Sequence, residues 1–450
     1  MGSGLPPGRP DATPPEPEPA GPPKPSEPPA PTRRWYRRHK KLLIWGSASL
    51  ALLLVAVTAT GYITLRHFNT NLEQDDIRGL LGSQPVDTHP QAENIMVLGS
   101  DSRQGLSKAY GSGLVTDQSD TLMIIHIPAN RKWAEVMSIP RDSYVNIPAC
   151  EMGDGQLSAP TQYKINEAFA IGNLDGNHTS LGVACTVKTI EQDTGIYINH
   201  FIVVNFTGFE DMVAALGGVY ECNPTAINDP NSGLNLTAGT HLLTPVQALG
   251  YVRARYTIGN GSDLERIDRQ QAFMSSLVSR VQSELLNPLA IYRFLDAATK
   301  SLTIDSQLGG ITGLYDLGQS LRSIPASKIA FFTIPNYPRS DVVPSDTANV
   351  LWTQPEDNKI FASFRDDVPA SSSLFGSEGS SGNGSVPLTE DSPQLVTPSS
   401  QPSAQASSTA SATAPATASA PVTPAATPTA AATPSATIQA RTANQSICAG

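Results

Sequence analysis

The chain has 450 residues and a formal net charge of −10. A bulk basic character is therefore excluded, and any local concentration of arginines needs its own explanation. No P-loop, Rossmann glycine fingerprint or Gly-x-Ser-x-Gly elbow occurs in the sequence, so the usual signatures of those nucleotide-binding and hydrolase sites are absent.

The N-terminal part of the chain predicts a membrane anchor. Residues 1–41 are Pro-rich and end in the basic stretch 33–41, whereas residues 42–65 contain no charged residue. A hydrocarbon core of about 30 Å needs roughly 20 apolar residues, so 42–65 is long enough to cross it. The basic flank predicts a disordered cytoplasmic tail and an extracytoplasmic remainder. A cleaved signal peptide is the alternative, but the apolar run exceeds a usual h-region of about 7–15 residues.

Three further segments follow the predicted transmembrane helix. Residues 66–91 are interpreted as a linker, and residues 92–368 have the length and regular apolar patterning of one domain. Residues 369–450 consist largely of Ser, Thr, Ala and Pro, and such a composition buries no core. This last segment is predicted to be a disordered tail.

Strands and helices alternate within the predicted domain. Short β-branched runs predict buried strands at 94–98, 122–127, 134–139 and 200–205. Helical patterns occur at 166–170, 182–192, 208–216, 244–252 and 263–286. Thr244 before Pro245 is a favourable N-cap, and Ser262-x-x-Glu265 has the form of a capping box. The predicted fold class is α/β, a single αβα layered domain with a central mixed sheet.

All four cysteines lie beyond the predicted anchor, in what would be an oxidising compartment. They allow three disulfide pairings, and we favour Cys150–Cys185 together with Cys222–Cys448, the latter tying the C-terminus back to the domain. No C-x-x-C spacing suggests zinc.

The strongest chemical signal is a cluster of arginines late in the domain. Arg253 and Arg255 are two positions apart and would point the same way in an extended stretch. After a Gly-containing turn, Arg266 and Gln270 fall on one helix face with Arg269. Guanidinium forks match phosphate oxygens, so we interpret the cluster as an anion site. The alternative is a set of surface arginines paired with nearby carboxylates.

Two aspartates flank the first two predicted strands. Asp101 directly follows one strand, and Asp120 directly precedes the next. If these strands are antiparallel neighbours, both carboxylates lie at one sheet edge. Mg²⁺ takes one or two protein carboxylates together with substrate phosphates, so the pair is a candidate metal site. The alternative is two ordinary turn or cap residues.

Two shorter segments add candidate residues to this site. Arg141 and Asp142 end the third predicted strand and could lie beside the same edge, and Lys164 precedes a helix that could aim its ammonium group at an anion. Each alone is more often part of an ordinary loop ion pair.

These motifs, taken in order, resemble the LytR–CpsA–Psr family of bacterial cell-envelope proteins, in its actinobacterial form. The resemblance covers roughly residues 92–285, and its segments are Gly99-Ser100-Asp101-Ser102-Arg103, Ser119-Asp120-Thr121, Ile139-Pro140-Arg141-Asp142, Lys164-Ile165-Asn166, Leu216-Gly217-Gly218-Val219, Arg253-Ala254-Arg255 and Asp263-x-x-Arg266-x-x-Arg269-Gln270-Gln271.

The resemblance implies a membrane-anchored phosphotransferase that moves a glycopolymer from a polyprenyl-pyrophosphate carrier onto peptidoglycan in cell wall assembly. A pyrophosphatase side activity is compatible with the same residues. By motif, Asp101 and Asp120 would hold Mg²⁺ or Mn²⁺. The roles that follow are catalytic for Asp101, Arg141, Asp142 and Arg255, and substrate-binding for Lys164, Arg253, Arg255, Arg266, Arg269 and Gln270.

One position departs from the family pattern, because Gln118 stands where members usually have an arginine. Two other functions stay open: a non-catalytic extracytoplasmic binder of an anionic lipid-linked glycan, and a transcriptional attenuator. The attenuator is disfavoured because the short Pro-rich tail has no room for a helix-turn-helix, and no nucleic-acid partner is expected. The transferred glycopolymer, the acceptor hydroxyl and the general base (Asp101 or Asp142) are not specified by the sequence.

Overall fold

The structure is a computed structural model. It describes residues 33–100, 119–174, 176, 178–255, 263–284, 287–370, 385–387 and 437–443. The predicted metal ligand Asp101, the capping residue Ser262 and Cys448 lie outside these ranges. Two units are distinguished, residues 1–64 and residues 65–450, and the second contains every strand and all helices after the first.

The strands of the second unit, in chain order, are β1 (Glu73–Asp75), β2 (Glu93–Ser100), β3 (Ser119–Ile127), β4 (Ala134–Ile139), β5 (Tyr144–Ile147), β6 (Thr161–Lys164), β7 (His200–Asn205), β8 (Val219–Asn223), β9 (Ile227–Asp229), β10 (Leu234–Leu236), β11 (Gly239–Leu243), β12 (Leu302–Asp305), β13 (Ile329–Thr333), β14 (Asn336–Pro338), β15 (Val350–Trp352), β16 (Ser385–Pro387) and β17 (Thr437–Thr442). The four strands predicted from the sequence correspond to β2, β3, β4 and β7 and are confirmed.

The helices are α1 (Arg33–Asn71), α2 (Arg78–Leu81), α3 (Asn166–Gly172), α4 (Thr179–Thr194), α5 (Phe206–Ala215), α6 (Pro245–Arg253), α7 (Asp263–Glu284), α8 (Pro288–Ser301), α9 (Gly310–Ser323) and α10 (Glu356–Arg365). All five helices predicted within the domain are confirmed, with ends shifted by a few residues. The Thr244 hydroxyl accepts a hydrogen bond from the backbone of Gln247, as expected of an N-cap before Pro245.

The central sheet is mixed, with the strand order β1-β12-β7-β2-β3-β4-β13-β17-β16. Strands β2 and β7 are parallel, β4 and β13 are parallel, and β3 runs antiparallel between β2 and β4. The carboxyl ends of β2, β7, β4 and β13 therefore meet the amino end of β3 at one edge of the sheet. We call this the site edge.

Apolar clusters cover both faces of the sheet, which confirms the predicted αβα layering. On one face, Phe169 of α3, Val183 of α4 and Phe361 of α10 pack over buried β-strand residues. On the other, Met274 of α7 and Leu317 of α9 pack in the second cluster. A third, smaller cluster joins α6 to the hairpins β8–β11. After α5, Gly217 and Gly218 have φ values of 70° and 101°, and this turn leads the chain into β8.

Residues 66–91 are part of the folded domain, so their interpretation as a linker is wrong. Strand β1 pairs in parallel with β12 at one end of the central sheet. Ile77, which precedes α2, and Leu81, which ends it, are buried in the first apolar cluster. The few apolar residues of this segment are too widely spaced for a periodic pattern. Distant elements order them: β12 pairs with β1, the first apolar cluster buries Ile77 and Leu81, and α8 packs against Phe68.

The C-terminal segment also differs from the prediction of a disordered tail over 369–450. Strand β17 pairs antiparallel with β13 and extends the central sheet, and Ala443 is 6 % exposed. The edge of β13 supplies the pairing partner that the sequence of residues 437–442 does not reveal.

The disulfide Cys150–Cys185 is present, as favoured from the sequence. Cys222 is also disulfide-bonded. Because Cys448 lies outside the described residues, the predicted Cys222–Cys448 pairing stays a prediction.

Helix α1 contains a candidate membrane span. Residues 40–71 have the length and hydropathy needed to cross a bilayer, and the apolar window within them has no buried residue. This agrees with the predicted anchor at 42–65 by length and composition.

Candidate active site

The site edge brings together the ends of strands that carry the predicted residues. Ser100, the last described residue before Asp101, pairs with Ser119, while Gly99 pairs with Thr121. Asp120 is therefore the extra residue at an irregularity in the β2–β3 ladder. Such a bulge bends the strand and redirects a side chain. The two strands are antiparallel neighbours, as the candidate metal site requires.

Two arginines from different elements meet at Asp120. Arg141 follows the end of β4, and its Nη1 donates to Asp120 Oδ1 at 2.5 Å. Arg266, in the first turn of α7, donates from Nη2 to the Asp120 carbonyl oxygen at 3.1 Å, and its Nη1 lies 4.0 Å from Oδ1. The side chain of Arg266 is 4 % exposed, against 27 % for Asp120. Burying a guanidinium costs solvation free energy, and removal of the nearby carboxylate would leave the Arg266 charge uncompensated.

A second ion pair adjoins the first. Lys164, at the end of β6, donates from Nζ to Asp142 Oδ1 at 2.6 Å. Asp142 Oδ2 lies 4.0 Å from Arg141 Nε. The five side chains thus form one connected group, which we call the edge cluster: Asp120, Arg141, Asp142, Lys164 and Arg266. It contains three cations and two carboxylates, so its formal charge is positive.

Arg253 and Arg255 are held by contacts separate from those of the edge cluster. Arg253 is the last residue of α6, so the extended stretch in which Arg253 and Arg255 would point the same way does not form. The Arg253 guanidinium carbon lies 4.8 Å from the ring centroid of Phe206, which begins α5 directly after β7 at the site edge. The backbone N–H of Arg255 donates to the Asp229 carboxylate at 2.7 Å.

Arg269 and Gln270 tie α7 to the segment that carries these arginines. Arg269 Nη2 donates to the carbonyl of Ala254, and Gln270 Nε2 donates to the carbonyl of Val252 at 3.2 Å. Both side chains are 7 % exposed. Burial lowers the pKa of the Arg269 guanidinium from its ordinary value. In the described contacts, these two predicted substrate-binding residues therefore position Arg253 and Arg255.

Gln271 ends the quoted motif, yet its sequence position indicated no role for it. Gln271 is 3 % exposed, and its Nε2 donates to Ser138 Oγ at 3.1 Å and to Thr333 Oγ1 at 3.0 Å. These hydroxyls lie at the carboxyl ends of β4 and β13. The amide thus anchors α7 to the site edge. The only sequence feature that pointed to Gln271 is its position beside Gln270. Its hydrogen-bond partners, Ser138 and Thr333, lie far away in the sequence.

The described residues offer one predicted metal ligand, Asp120. They contain no group of three or more His, Cys, Asp or Glu side chains arranged to hold a metal ion. A carboxylate has about four lone-pair positions, so the Asp120 bond to Arg141 leaves room for a cation. One carboxylate with substrate phosphates is a mode that Mg²⁺ uses, whereas an all-protein cage is not required. The donor set therefore fits a magnesium ion that binds together with a phosphorylated ligand.

The fold and this edge define an α/β domain with a cationic site at the carboxyl ends of its strands. The sequence profile of the LytR_cpsA_psr family matches residues 60–362. The chain therefore belongs to the LytR_cpsA_psr family, as the motifs indicated.

Three curated relatives illustrate the likeness. The "Probable cell wall biosynthesis protein LcpB" of Corynebacterium glutamicum is 35 % identical over 219 residues, which are 47 % of this chain and 48 % of that protein. The "Cell wall biosynthesis protein LcpA" of the same organism is 30 % identical over 314 residues, 64 % of this chain and 58 % of LcpA. The match thus spans about half of the length of these two relatives.

The third relative is the "Polyisoprenyl-teichoic acid–peptidoglycan teichoic acid transferase TagT" of Bacillus subtilis. It is 28 % identical over 312 residues, 66 % of this chain and 88 % of TagT.

Proposed function

We propose that this chain is a membrane-anchored phosphotransferase that moves a glycopolymer from a polyprenyl-pyrophosphate carrier onto peptidoglycan. The names of LcpA and TagT support cell wall assembly and transfer to peptidoglycan as the process. The observation that carries the proposal is the edge cluster, in which Arg141 and Arg266 converge on Asp120 from two separate elements.

The edge cluster suits the carrier pyrophosphate because this pyrophosphate is a diester that carries a negative charge on each of its two phosphates. Phosphoryl transfer needs positioning and neutralisation of that charge more than it needs covalent help. Arg141 and Arg266 would contact the phosphate oxygens, and Lys164 would add a further positive charge at the same edge. Asp120, with Asp101, would hold Mg²⁺, which supplies further neutralisation of the phosphates.

The bond changes in the proposed reaction are simple. An acceptor hydroxyl of peptidoglycan forms a P–O bond to the phosphorus that carries the glycopolymer. The bond from that phosphorus to the bridging oxygen breaks, and polyprenyl phosphate leaves with the electron pair. The hydroxyl proton passes to a carboxylate, for which Asp101 and Asp142 are the candidates. Water in place of the hydroxyl would give the pyrophosphatase side activity.

The strand topology supports a carrier that stays in the membrane. Strand β1 is parallel to β12, and β12 is antiparallel to β7, so Glu73 begins β1 at the site edge. Four strand spacings separate β1 from β3, which is about 19 Å at 4.8 Å per strand. The chain therefore enters the sheet at the edge where Asp120 lies.

Under the positive-inside rule, the basic stretch 33–41 favours a cytoplasmic N-terminus and a domain outside the cell.

The test is turnover of a lipid-linked glycopolymer by the purified full-length chain with Mg²⁺. We expect release of polyprenyl phosphate, detected by mass spectrometry of the lipid extract, and loss of that release in Asp101→Ala and Arg255→Ala with secondary structure retained. Unchanged release in both variants would contradict the proposal. Binding of the carrier without turnover under Mg²⁺ or Mn²⁺ would instead establish a non-catalytic glycolipid binder.

A further inference from the structure

Helix α8 leaves the large apolar side chains of its first two turns outside the core. Leu289 and Tyr292 are 57 % and 43 % exposed, and Ile291, Phe294 and Leu295 are half-buried. The buried residues of α8 all lie in its last turn. A surface helix of a water-soluble domain normally turns an apolar stripe inward and charged residues outward. In α8 the inward burial is confined to the C-terminal turn, and the apolar side chains of the first two turns are at most half-covered by the protein.

The same half of α8 packs against the residues that directly follow the predicted anchor. The rings of Phe68 and Tyr292 have centroids 5.3 Å apart, and His67 Nε2 lies 2.8 Å from Asp296 Oδ1. Phe68 is 4 % exposed, so this contact is a packed one. The charge-free run ends at Leu65, three residues earlier, and three residues span at most about 10 Å. The ring contact and the short connection together place Tyr292 close to Leu65, the end of the charge-free run.

We propose that the N-terminal half of α8, residues 287–295, lies in the interfacial layer of the bilayer and contacts lipid through Leu289 and Tyr292. Tyrosine suits this layer because its ring is apolar and its hydroxyl is polar. Arg293, exposed in the same turn, provides a positive charge for lipid phosphate groups. This inference rests on the membrane anchoring in the proposed function, and it adds a second contact between the domain and the membrane.

The proposed contact also orients the site edge. Helix α8 ends at Ser301, and β12 begins at Leu302, which pairs with Val204 next to the carboxyl end of β7. Gly208, in the first turn of α5, approaches Ser301 so closely that an added Cβ would lie 2.0 Å from its Cβ. The end of α8 is thus packed tightly against the site edge. A membrane contact at its other end would keep that edge at a constant distance from the bilayer.

The experiment is lipid photocrosslinking of the full-length chain in vesicles of phosphatidylcholine and phosphatidylglycerol. Benzoylphenylalanine is placed by amber suppression at position 289, at position 53 within the apolar run, or at position 368. Val368 is a matched control because it is 49 % exposed and follows Asp367, which contacts His126 near the carboxyl end of β3, at the opposite edge of the sheet. Lipid adducts are counted by mass spectrometry after irradiation.

We expect lipid adducts from positions 289 and 53, with at least a fivefold lower yield from position 368. Adducts from position 53 without adducts from 289 would overturn the α8 inference and leave the proposed function standing. Equal yields from 289 and 368 would overturn it as well, because the contact would not be specific to α8. The absence of adducts from both 53 and 289 would overturn the membrane anchor and this inference together.

Discussion

Arg141 donates to the Asp120 carboxylate at 2.5 Å across two antiparallel strands. The two side chains are 21 % and 27 % exposed, so the ion pair is accessible to a ligand. A phosphate would draw Arg141 away from Asp120, and a divalent cation on the Asp120 carboxylate would weaken its attraction for Arg141. When the two ligands bind together, the phosphate frees Asp120 for the cation and the cation frees Arg141 for the phosphate. We therefore expect the metal and the pyrophosphate to strengthen one another's binding.

The first prediction concerns the charge of Asp120. Asp120→Asn keeps the size of the side chain but removes the negative charge that a divalent cation needs, so the Mg²⁺ concentration for half-maximal transfer should rise at least about tenfold. A metal titration of polyprenyl phosphate release measures this. Asp316→Asn, at an exposed position of α9, is the matched control. An unchanged titration curve for Asp120→Asn would remove Asp120 from the proposed metal site.

The second prediction separates the charge of Arg266 from its shape. Arg266→Lys keeps a positive charge but loses the planar fork, and loss of one preorganised donor costs about 10²-fold in rate. We expect a fall of that order in kcat/KM for transfer, with secondary structure retained. Arg322→Lys, on the exposed face of α9, should leave kcat/KM unchanged. Equal activity of the two variants would show that Arg266 does not act on the phosphates.

The third prediction concerns the pair formed by Asp142 and Lys164. Their 2.6 Å contact predicts a coupling free energy of about 0.5–3 kcal/mol, the range for residues that share an ion pair. Asp142→Asn, Lys164→Met and the double variant, unfolded by denaturant, complete the cycle. Additive effects on the free energy of unfolding would mean that the contact contributes nothing to stability.

The fourth prediction tests whether Gln271 anchors α7. Gln271→Ala leaves the buried hydroxyl of Ser138 and the partly buried hydroxyl of Thr333 without this donor, so the free energy of unfolding should fall by about 1–3 kcal/mol. Transfer activity should fall as well, because Arg266 lies one turn earlier on α7. Gln319→Ala, on the partly exposed side of α9, is the control for loss of an amide. Full stability of Gln271→Ala would contradict the anchoring role.

The fifth prediction is a pH dependence that arises away from the site. Burial raises the pKa of Glu191 from its ordinary 4.5 to about 7, although hydrogen bonds from Ile198 and Gln84 oppose the rise. The folded state then holds the proton more tightly than the unfolded state does. The contribution of Glu191 to stability is therefore largest below pH 4.5 and declines as the pH rises towards 7, by at most about 3 kcal/mol.

Denaturant unfolding of the native chain and of Glu191→Gln across this pH range measures that contribution. The variant carries no titrating group at this position, so its free energy of unfolding should decline less steeply between pH 4.5 and 7. Parallel curves for the two proteins would show that Glu191 keeps an ordinary pKa in the folded state.

Several features of the fold were predictable because their signals are local. Strands β4 and β7 have the bounds given by their β-branched runs, and Thr244 caps α6 as its sequence indicates. The positions of β1 and β17 were not predictable, since each is ordered by the strand beside it in the sheet. The conformation of Arg253 was also not predictable, because the sequence does not show that α6 extends to this residue.

The candidate site divides in the same way. Residue types and spacing indicated Asp120 and Arg266 as candidates, because metal and phosphate ligands favour carboxylates and guanidinium groups. Arg141 and Lys164 gained their predicted roles from the family resemblance. Tertiary structure alone decided which of them touch: Arg266 lies 146 positions from the Asp120 carbonyl that it contacts, and Gln271 lies 133 positions from Ser138. A sequence records the chemistry of each side chain, whereas contacts at such separations arise from the packing of α7 over the site edge.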